Sequence, residues 1–309
     1  MSLVEQAIAR MRNQSSAAKT PVVSAGHVSK SVSPIAEARE VVDPARIIKR
    51  ISLDPAALRA GGYLPEESKD RQFADQYRRI KRPLIDRALT GVAPVGEPRV
   101  IMITSALPGD GKTFTSLNLA LSMALERDIS VLLVDSDVAK RHISQITGLD
   151  REPGLLDALI DETIDPQSLV VQTNLRGLSI LPAGRPVETT AELLSSNRMR
   201  QIVMDLCVGS PRRIILLDSP PLLITNEGRI LIKLAAQIVL VARAGHTPRN
   251  ALQEAIALFD SRQAGGVVLN QVGGAGSDGY YSYGSYGAYA ANANGPAIGI
   301  ESGPENNET

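Results

Sequence analysis

The chain has 309 residues, of which 43% are hydrophobic, and its 33 basic residues balance 33 acidic ones, so the formal net charge is zero. This length and composition predict one domain of about 200 residues with appendages, and the lack of a positive field argues against nucleic acid as a partner. The single cysteine, Cys207, lies in an apolar run and is expected to be a buried thiol, which fits a reducing cytoplasm. No window approaches the ~18 consecutive apolar residues that span a bilayer, so we expect a protein that is soluble by itself.

Residues 1–60 are predicted to form an N-terminal segment and linker. Residues 1–12 place apolar side chains at helical spacing, which indicates either a short docking helix or a frayed terminus. Residues 13–34 are rich in Ser, Ala, Val and Pro and lack a helical period, so we expect a flexible linker there.

Residues 61–92 are predicted to form a helical region for oligomerisation or docking. A helix is expected to begin at Pro65, with acidic residues in its first turn, and to run toward Leu89, with Pro83 ending or kinking it. Its charged side is either a solvated face or a charge-paired contact with another protomer, and spacing alone does not separate the two.

A glycine-rich stretch between a strand and a helix predicts a phosphate-binding loop. Residues 100–103 have the length and β-branched content of a buried parallel strand, and residues 114–126 have the spacing of an amphipathic helix. Glycines let backbone N–H groups approach phosphate oxygens at a helix N-terminus. The first glycine of the usual G-x-x-x-x-G-K-[ST] pattern is replaced by Ala106. The expected nucleotide-binding residues are Pro108, Gly109, Asp110, Gly111, Lys112, Thr113 and Phe114.

Further apolar runs of strand length alternate with helical patterns along the rest of the domain. Since each strand is apolar along its whole length, we predict a doubly wound, mostly parallel α/β sheet within a domain of residues 93–272. Its ligand site is expected at the carboxyl ends of the strands. Strands are predicted at 129–134, 178–181, 213–217, 236–241 and 266–269, and helices at 155–160, 190–208 and 248–259.

Three aspartates follow two of the predicted strands: Asp135 and Asp137 end one strand, and Asp218 ends another. Each alone is also typical of a helix N-cap or a turn, but beside Gly-Lys-Thr they predict a site for Mg·ATP. The expected Mg²⁺ ligands are Thr113, Asp137 and Asp218. Because a plain ATPase needs one metal-holding acid, the extra pair makes Asp135 or Asp137 a candidate base for an attacking hydroxyl.

The composition changes abruptly at Gly273. Residues 273–309 are rich in Gly, Ser and Ala and contain five of the chain's seven tyrosines. Such aromatics lack aliphatic neighbours with which to form a core, so we expect a flexible tail. The tyrosines are Tyr280, Tyr281, Tyr283, Tyr286 and Tyr289.

The stretches around Lys112, Asp135 and Asp218 resemble the Walker A, A′ and B motifs of the bacterial tyrosine kinases of capsule and exopolysaccharide synthesis. The tail is similar to the tyrosine cluster that those kinases autophosphorylate, and the region before the first strand looks most like the exosortase-associated branch. The resemblance implies a P-loop NTPase fold of the MinD/ParA type. It also implies an ATP-dependent autokinase that transfers the γ-phosphate to the tail tyrosines of a neighbouring protomer and regulates polysaccharide polymerisation or export.

Carried over by position, the resemblance implies roles for individual residues. Lys112, Asp135 and Asp137 are the implied catalytic residues, and Ala139 stands where an arginine is usual in the A′ motif. Asn270 matches the position that meets the adenine edge, although it is also an ordinary strand-end turn residue.

The resemblance also implies partners. Asp75, Arg78 and Lys81 resemble the family's E-x-x-R-x-x-R oligomerisation motif, with Asp for Glu and Lys for the second Arg. The implied partners are further copies of the chain and a membrane polysaccharide co-polymerase, which recruits a cytoplasmic kinase to the inner face of the membrane.

Two other functions compete with the kinase. A MinD/ParA-like switch ATPase places a signature lysine where this chain has Leu107, so that residue and the tyrosine tail argue against it. A non-catalytic ATP-binding adaptor of a polysaccharide export complex is the third hypothesis.

Overall fold

The structure, a computed structural model, describes residues 49–91, 93, 96–208, 210 and 212–272. The predictions for residues 1–48 and for the tyrosines of the 273–309 segment lie outside these residues. Within the described part, no helix is both long and apolar enough to cross a membrane.

Eight strands of the described residues form one sheet. The strands are β1 (Arg50–Ile51), β2 (Glu97–Ser105), β3 (Ser130–Asp135), β4 (Val171–Thr173), β5 (Leu178–Leu181), β6 (Arg213–Asp218), β7 (Ala235–Arg243) and β8 (Ala264–Asn270). Their order across the sheet is β1-β4-β5-β3-β6-β2-β7-β8. Neighbours run parallel, apart from β4 and β5, which pair antiparallel. The predicted mostly parallel sheet is therefore confirmed.

Helices connect the strands and cover the sheet. The α-helices of the described residues are α1 (Pro55–Ala60), α2 (Asp70–Leu89), α3 (Lys112–Met123), α4 (His142–Ile146), α5 (Leu155–Ile160), α6 (Thr190–Ser195), α7 (Asn197–Val208), α8 (Asn226–Leu231) and α9 (Arg249–Ile256). Short 3₁₀ turns lie at Glu67–Lys69, Pro166–Leu169, Ile232–Leu234 and Ser261–Gln263.

Alternate residues of β2 face opposite sides of the sheet, as the pleat of a strand requires. Ile101 and Ile103 belong to a core that includes α2 and α3, whereas Val100 and Met102 belong to a second core that includes α5 and α7. All four side chains are fully buried. The sheet is therefore covered on both faces, which explains why its central strands are apolar throughout.

The prediction of one continuous helix over residues 190–208 is wrong, because the helical conformation is interrupted at Ser196. Ser196 has extended backbone angles, φ −71° and ψ 160°. Its hydroxyl accepts a hydrogen bond from the backbone N–H of Met199 at 3.2 Å, as an N-cap residue does. The result is two helices, α6 and α7, instead of one.

Two other helices differ from their predicted form. Helix α2 begins at Asp70, not at Pro65, and it continues through Pro83 to Leu89. Pro83 is exposed, so the carbonyl group that loses its amide partner can be hydrated while Leu84 stays packed in the core. Helix α3 is buried on nearly all sides and is not amphipathic, because α2 covers the side turned away from the sheet.

The thiol of Cys207, on α7, is buried in the core, as expected. Burial raises its pKa to about 12. The group is therefore a core side chain and not a nucleophile.

Candidate active site

The phosphate-binding loop connects β2 to α3 and has the backbone conformation that the glycines predict. Gly109 and Gly111 have φ values of 86° and 93°, in the left-handed region that favours glycine. A Cβ atom at Gly109 would meet no atom within 4 Å, so the loop is open at this point. Helix α3 begins at Lys112, and its first N–H groups and its dipole favour an anion there.

Lys112 lies in the interior, with 6% of the residue exposed. Burial lowers the pKa of its ammonium group, while the negative charges of Asp218 and Asp137 act in the opposite direction. The two carboxylates thus favour the charged form of Lys112 against the effect of burial.

Asp218, at the end of β6, joins the phosphate-binding loop through two hydroxyl groups. Thr113 Oγ1 donates to Asp218 Oδ2 at 3.0 Å, and Ser116 Oγ donates to Asp218 Oδ1 at 2.8 Å. Burial raises the pKa of Asp218 to about 6. A positive ion beside this carboxylate would offset the cost of burying its charge.

These oxygen atoms fit a magnesium ion. Mg²⁺ prefers oxygen ligands and is usually held by one or two carboxylates together with phosphate oxygens and water. Thr113 and Asp218 supply a hydroxyl and a carboxylate that already lie in contact. The described residues contain no group of three or more His, Cys, Asp or Glu side chains placed to hold a metal.

The register of the sheet brings Asp135 to the same edge, directly opposite Asp218 on β6. Ser144 fixes one oxygen of Asp135, since its backbone N–H and its hydroxyl donate to Oδ2 at 2.8 and 2.7 Å. The other oxygen, Oδ1, is buried and has no hydrogen-bond partner among the described residues. Burial, reinforced by the charge of Asp218, raises the pKa of Asp135 to about 7.

Asp137 lies two residues beyond the end of β3 and is 3% exposed. Its backbone carbonyl accepts the N–H groups of Lys140 and Arg141, at 3.0 and 2.7 Å, which turns the chain toward α4. Its charge acts on Lys112 and Asp218, so the structure brings all of these predicted residues into one cluster.

Three other residues predicted to bind the nucleotide, Phe114, Pro108 and Asn270, do not belong to this cluster. The ring of Phe114 packs edge-to-face on Phe73 of α2, with centroids 6.0 Å apart, so its side chain contributes to the α2–α3 contact. Pro108 is exposed at the tip of the loop. Asn270 Nδ2 donates to the backbone carbonyl of Asp110 at 3.0 Å, which places the end of β8 against the phosphate-binding loop.

Ser116 and Ser144 bond the site carboxylates and were not predicted. Ser116 lies three residues after Thr113 on the same helix, so helical spacing would have placed it on the same face. Ser144 has no such signal, because its contact with Asp135 depends on how the chain turns between β3 and α4.

The predicted oligomerisation motif divides into an exposed and a buried part. Arg78 Nη1 donates to Asp75 Oδ1 at 2.7 Å, and both side chains are more than half exposed. Lys81 is only 5% exposed and lies against α3 of its own chain. Its ammonium group is therefore engaged within its own protomer, and the role of this region in a contact between copies stays a prediction.

Comparisons with known proteins agree with this geometry. The family model described as an AAA domain matches residues 98–255. The tyrosine-protein kinase YwqD of Bacillus subtilis is 31% identical over 202 residues, which cover 63% of this chain and 80% of that protein. The tyrosine-protein kinase wzc of Salmonella typhimurium is 29% identical over 56% of this chain, which spans only 24% of that longer protein.

Solved structures give the same result. The kinase domain of VpsO is 31% identical, with a TM-score of 0.51 over 64% of this chain and 98% of that domain. The BceF tyrosine kinase domain is 25% identical, with a TM-score of 0.54 over 72% of this chain and 90% of that domain. The chain has the P-loop NTPase fold, carries an AAA domain and belongs to the family of bacterial tyrosine-protein kinases.

Proposed function

We propose that this chain is an Mg·ATP-dependent protein-tyrosine autokinase whose acceptors are the tyrosines of its own 273–309 segment. The observation that carries the proposal is the convergence of Lys112, the Thr113–Asp218 pair and the carboxylates of Asp135 and Asp137 at one edge of the sheet. Phosphoryl transfer requires such positioning and charge stabilisation more than covalent chemistry from the protein.

The phosphate-binding loop would hold the nucleotide. Gly109 and Gly111 have the left-handed backbone that lets N–H groups approach phosphates, and Lys112 would supply positive charge to the β- and γ-phosphates. Thr113, Asp218 and Asp137 would hold Mg²⁺, which when bound neutralises charge on the transferring phosphate.

The acceptor step uses the carboxylates of Asp135, the last residue of β3, and Asp137. The phenolic oxygen of a tyrosine forms a bond to the γ-phosphorus, the bond from that phosphorus to the β–γ bridging oxygen breaks, and ADP leaves. Asp135 or Asp137 takes the phenolic proton. A carboxylate whose pKa is near 7, as at Asp135, suits proton transfer at neutral pH.

We further propose that transfer occurs between protomers and serves polysaccharide polymerisation or export. The exposed pair Asp75 and Arg78 on α2 remains available for a contact between copies. Each phosphotyrosine adds about −1.5 to −2 charges, so a modified tail would repel its neighbours and loosen an assembly. The resemblance to kinases of capsule synthesis supports a membrane co-polymerase as the activating partner.

Mixing two full-length variants, one without acceptor tyrosines and one without kinase activity, tests transfer between protomers. A chain with Tyr280, Tyr281, Tyr283, Tyr286 and Tyr289 all changed to Phe keeps the ATP site, whereas a Lys112→Met chain keeps the acceptors. With Mg·ATP, we expect phosphotyrosine on the Lys112→Met chain only when both are present. ATP hydrolysis stimulated by lipid or DNA without tyrosine transfer would favour a switch ATPase, and nucleotide-dependent assembly without turnover would favour an adaptor.

A further inference from the structure

Asp110 is an acidic residue in the middle of a loop that binds phosphates. The residue is 3% exposed, and its carboxylate accepts two hydrogen bonds. Oδ1 accepts the hydroxyl of Thr247 at 2.7 Å, and Oδ2 accepts the backbone N–H of Leu107 at 3.2 Å. Both carboxylate oxygens are thus engaged by the protein itself, and only the backbone N–H of this residue stays a candidate phosphate ligand.

Thr247 lies far from the phosphate-binding loop in the sequence, in the turn that follows β7. Its hydroxyl oxygen also accepts the backbone N–H of Arg243 at 2.7 Å, at the end of that strand. The backbone N–H of Thr247 donates to the carbonyl of Arg243 at 3.0 Å. The hydroxyl that holds Asp110 is therefore fixed to β7 from two sides.

Asn270, at the end of β8, holds the backbone of the same residue. Its Nδ2 donates to the carbonyl of Asp110 at 3.0 Å. The side chain fills the space beside Gly111, where an added Cβ atom would lie 1.9 Å from Asn270 Nδ2. Strands β7 and β8 thus hold Asp110 by its side chain and by its main chain.

We propose that Thr247 is a positioning residue for nucleotide binding and that the Asp110–Thr247 contact acts as a latch on the phosphate-binding loop. The latch keeps the Asp110 carboxylate turned away from the phosphates, which its negative charge would otherwise repel. It also fixes the loop before the nucleotide arrives, so less freedom is lost on binding. This inference rests on the proposed use of the loop for Mg·ATP.

Three variants of the full-length chain test the latch through the dissociation constant of a fluorescent ATP analogue with Mg²⁺. Thr247→Val removes the hydroxyl at nearly constant volume, and we expect about tenfold weaker binding, the usual scale for losing a hydrogen bond to a charged group. Thr247→Ser keeps the hydroxyl and should bind nearly as the wild type does. Thr163→Val is the matched control, because the Thr163 hydroxyl bonds Asp161 in an exposed turn.

A double-mutant cycle gives the decisive result. If Thr247 acts through the Asp110 carboxylate, Thr247→Val should cause little further loss of affinity in an Asp110→Ala background. Additive losses, or unchanged affinity in Thr247→Val with a lowered unfolding midpoint, would overturn the latch and leave Thr247 a purely structural residue. Since the readout is nucleotide affinity, failure of the kinase proposal would appear separately, as tight binding without phosphotyrosine.

Discussion

The ammonium group of Lys81 on α2 donates a hydrogen bond to the backbone carbonyl of Ser122 at 2.7 Å, in the last turn of α3. The same nitrogen lies 2.8 Å from Glu126 Oε1. A positive charge at the carboxyl end of a helix interacts favourably with the helix dipole and satisfies a carbonyl that lacks an intrahelical partner. Helix α2 is therefore bound to the far end of the helix whose first residue is Lys112.

Lys81→Met should destabilise the fold because it leaves the Ser122 carbonyl buried without its donor. We expect the free energy of unfolding to fall by about 1–3 kcal/mol in urea titrations. Arg82→Met is the control, since Arg82 is exposed on the same helix and should change stability by less than about 0.5 kcal/mol. Equal effects of the two substitutions would show that the buried contact adds nothing.

Arg78→Ala should weaken contacts between copies without unfolding the chain. The Asp75–Arg78 pair is exposed, and exposed pairs contribute little to folding, so we expect a stability change below about 1 kcal/mol. Sedimentation velocity should show a shift to smaller species, together with slower phosphorylation between protomers. An unchanged size distribution would remove this pair from the assembly contact.

Because the pKa of Asp135 is raised, we expect the free energy of unfolding to depend on pH in buffer free of metal and nucleotide. Its folded pKa of about 7 lies above the usual 3.8, so the unfolded chain releases this proton first as pH rises. The free energy of unfolding should therefore fall between about pH 4 and pH 7, by roughly 1.4 kcal/mol for each unit of pKa difference. The Asp135→Asn chain cannot ionise at this position. The difference between its free energy of unfolding and that of the wild type should therefore increase across this range and then become constant.

Urea unfolding of both chains from pH 5 to pH 8 measures this difference. Asn can still accept the backbone N–H of Ser144, so the substitution preserves one contact of the carboxylate. A constant difference between the two chains at every pH would contradict the raised pKa of Asp135.

Thr113→Val should impair phosphoryl transfer more than folding. The substitution removes the hydroxyl that contacts Asp218 and that we propose as an Mg²⁺ ligand. We expect the rate of tyrosine phosphorylation to fall by roughly 10²–10³, the range seen when one charge-stabilising group is lost. The Thr113→Ser variant should retain most of the activity. In a titration of Mg²⁺, the Thr113→Val variant, but not Thr113→Ser, should need a much higher concentration of the ion to reach its maximal rate.

The strands and the site carboxylates were predictable because their signals are local. An apolar run followed by aspartate marks the end of β3 and of β6, and parallel pairing brings Asp135 and Asp218 together. The break at Ser196 was missed although the polar residues 195–198 interrupt the apolar spacing there. The cap that begins the second helix is a single hydroxyl, and serine is a preferred N-cap residue.

Long-range contacts could not be predicted from spacing. The buried position of Lys81 depends on how α2 packs on α3, and a lysine within a charged run gives no sign of it. The contact between Asp110 and Thr247 joins residues 137 positions apart in the sequence. Such contacts follow from tertiary packing, and no periodic pattern records them.

The central claim is that this site phosphorylates the tyrosines of the 273–309 segment. The most direct test is a mass-spectrometric phosphopeptide map of the full-length chain, with and without Mg·ATP and with a membrane co-polymerase supplied. We predict ATP-dependent phosphotyrosine confined to Tyr280–Tyr289 and lost in Lys112→Met. A preparation that binds Mg·ATP yet gains no phosphotyrosine, or a Lys112→Met chain that is still phosphorylated when alone, would contradict the account.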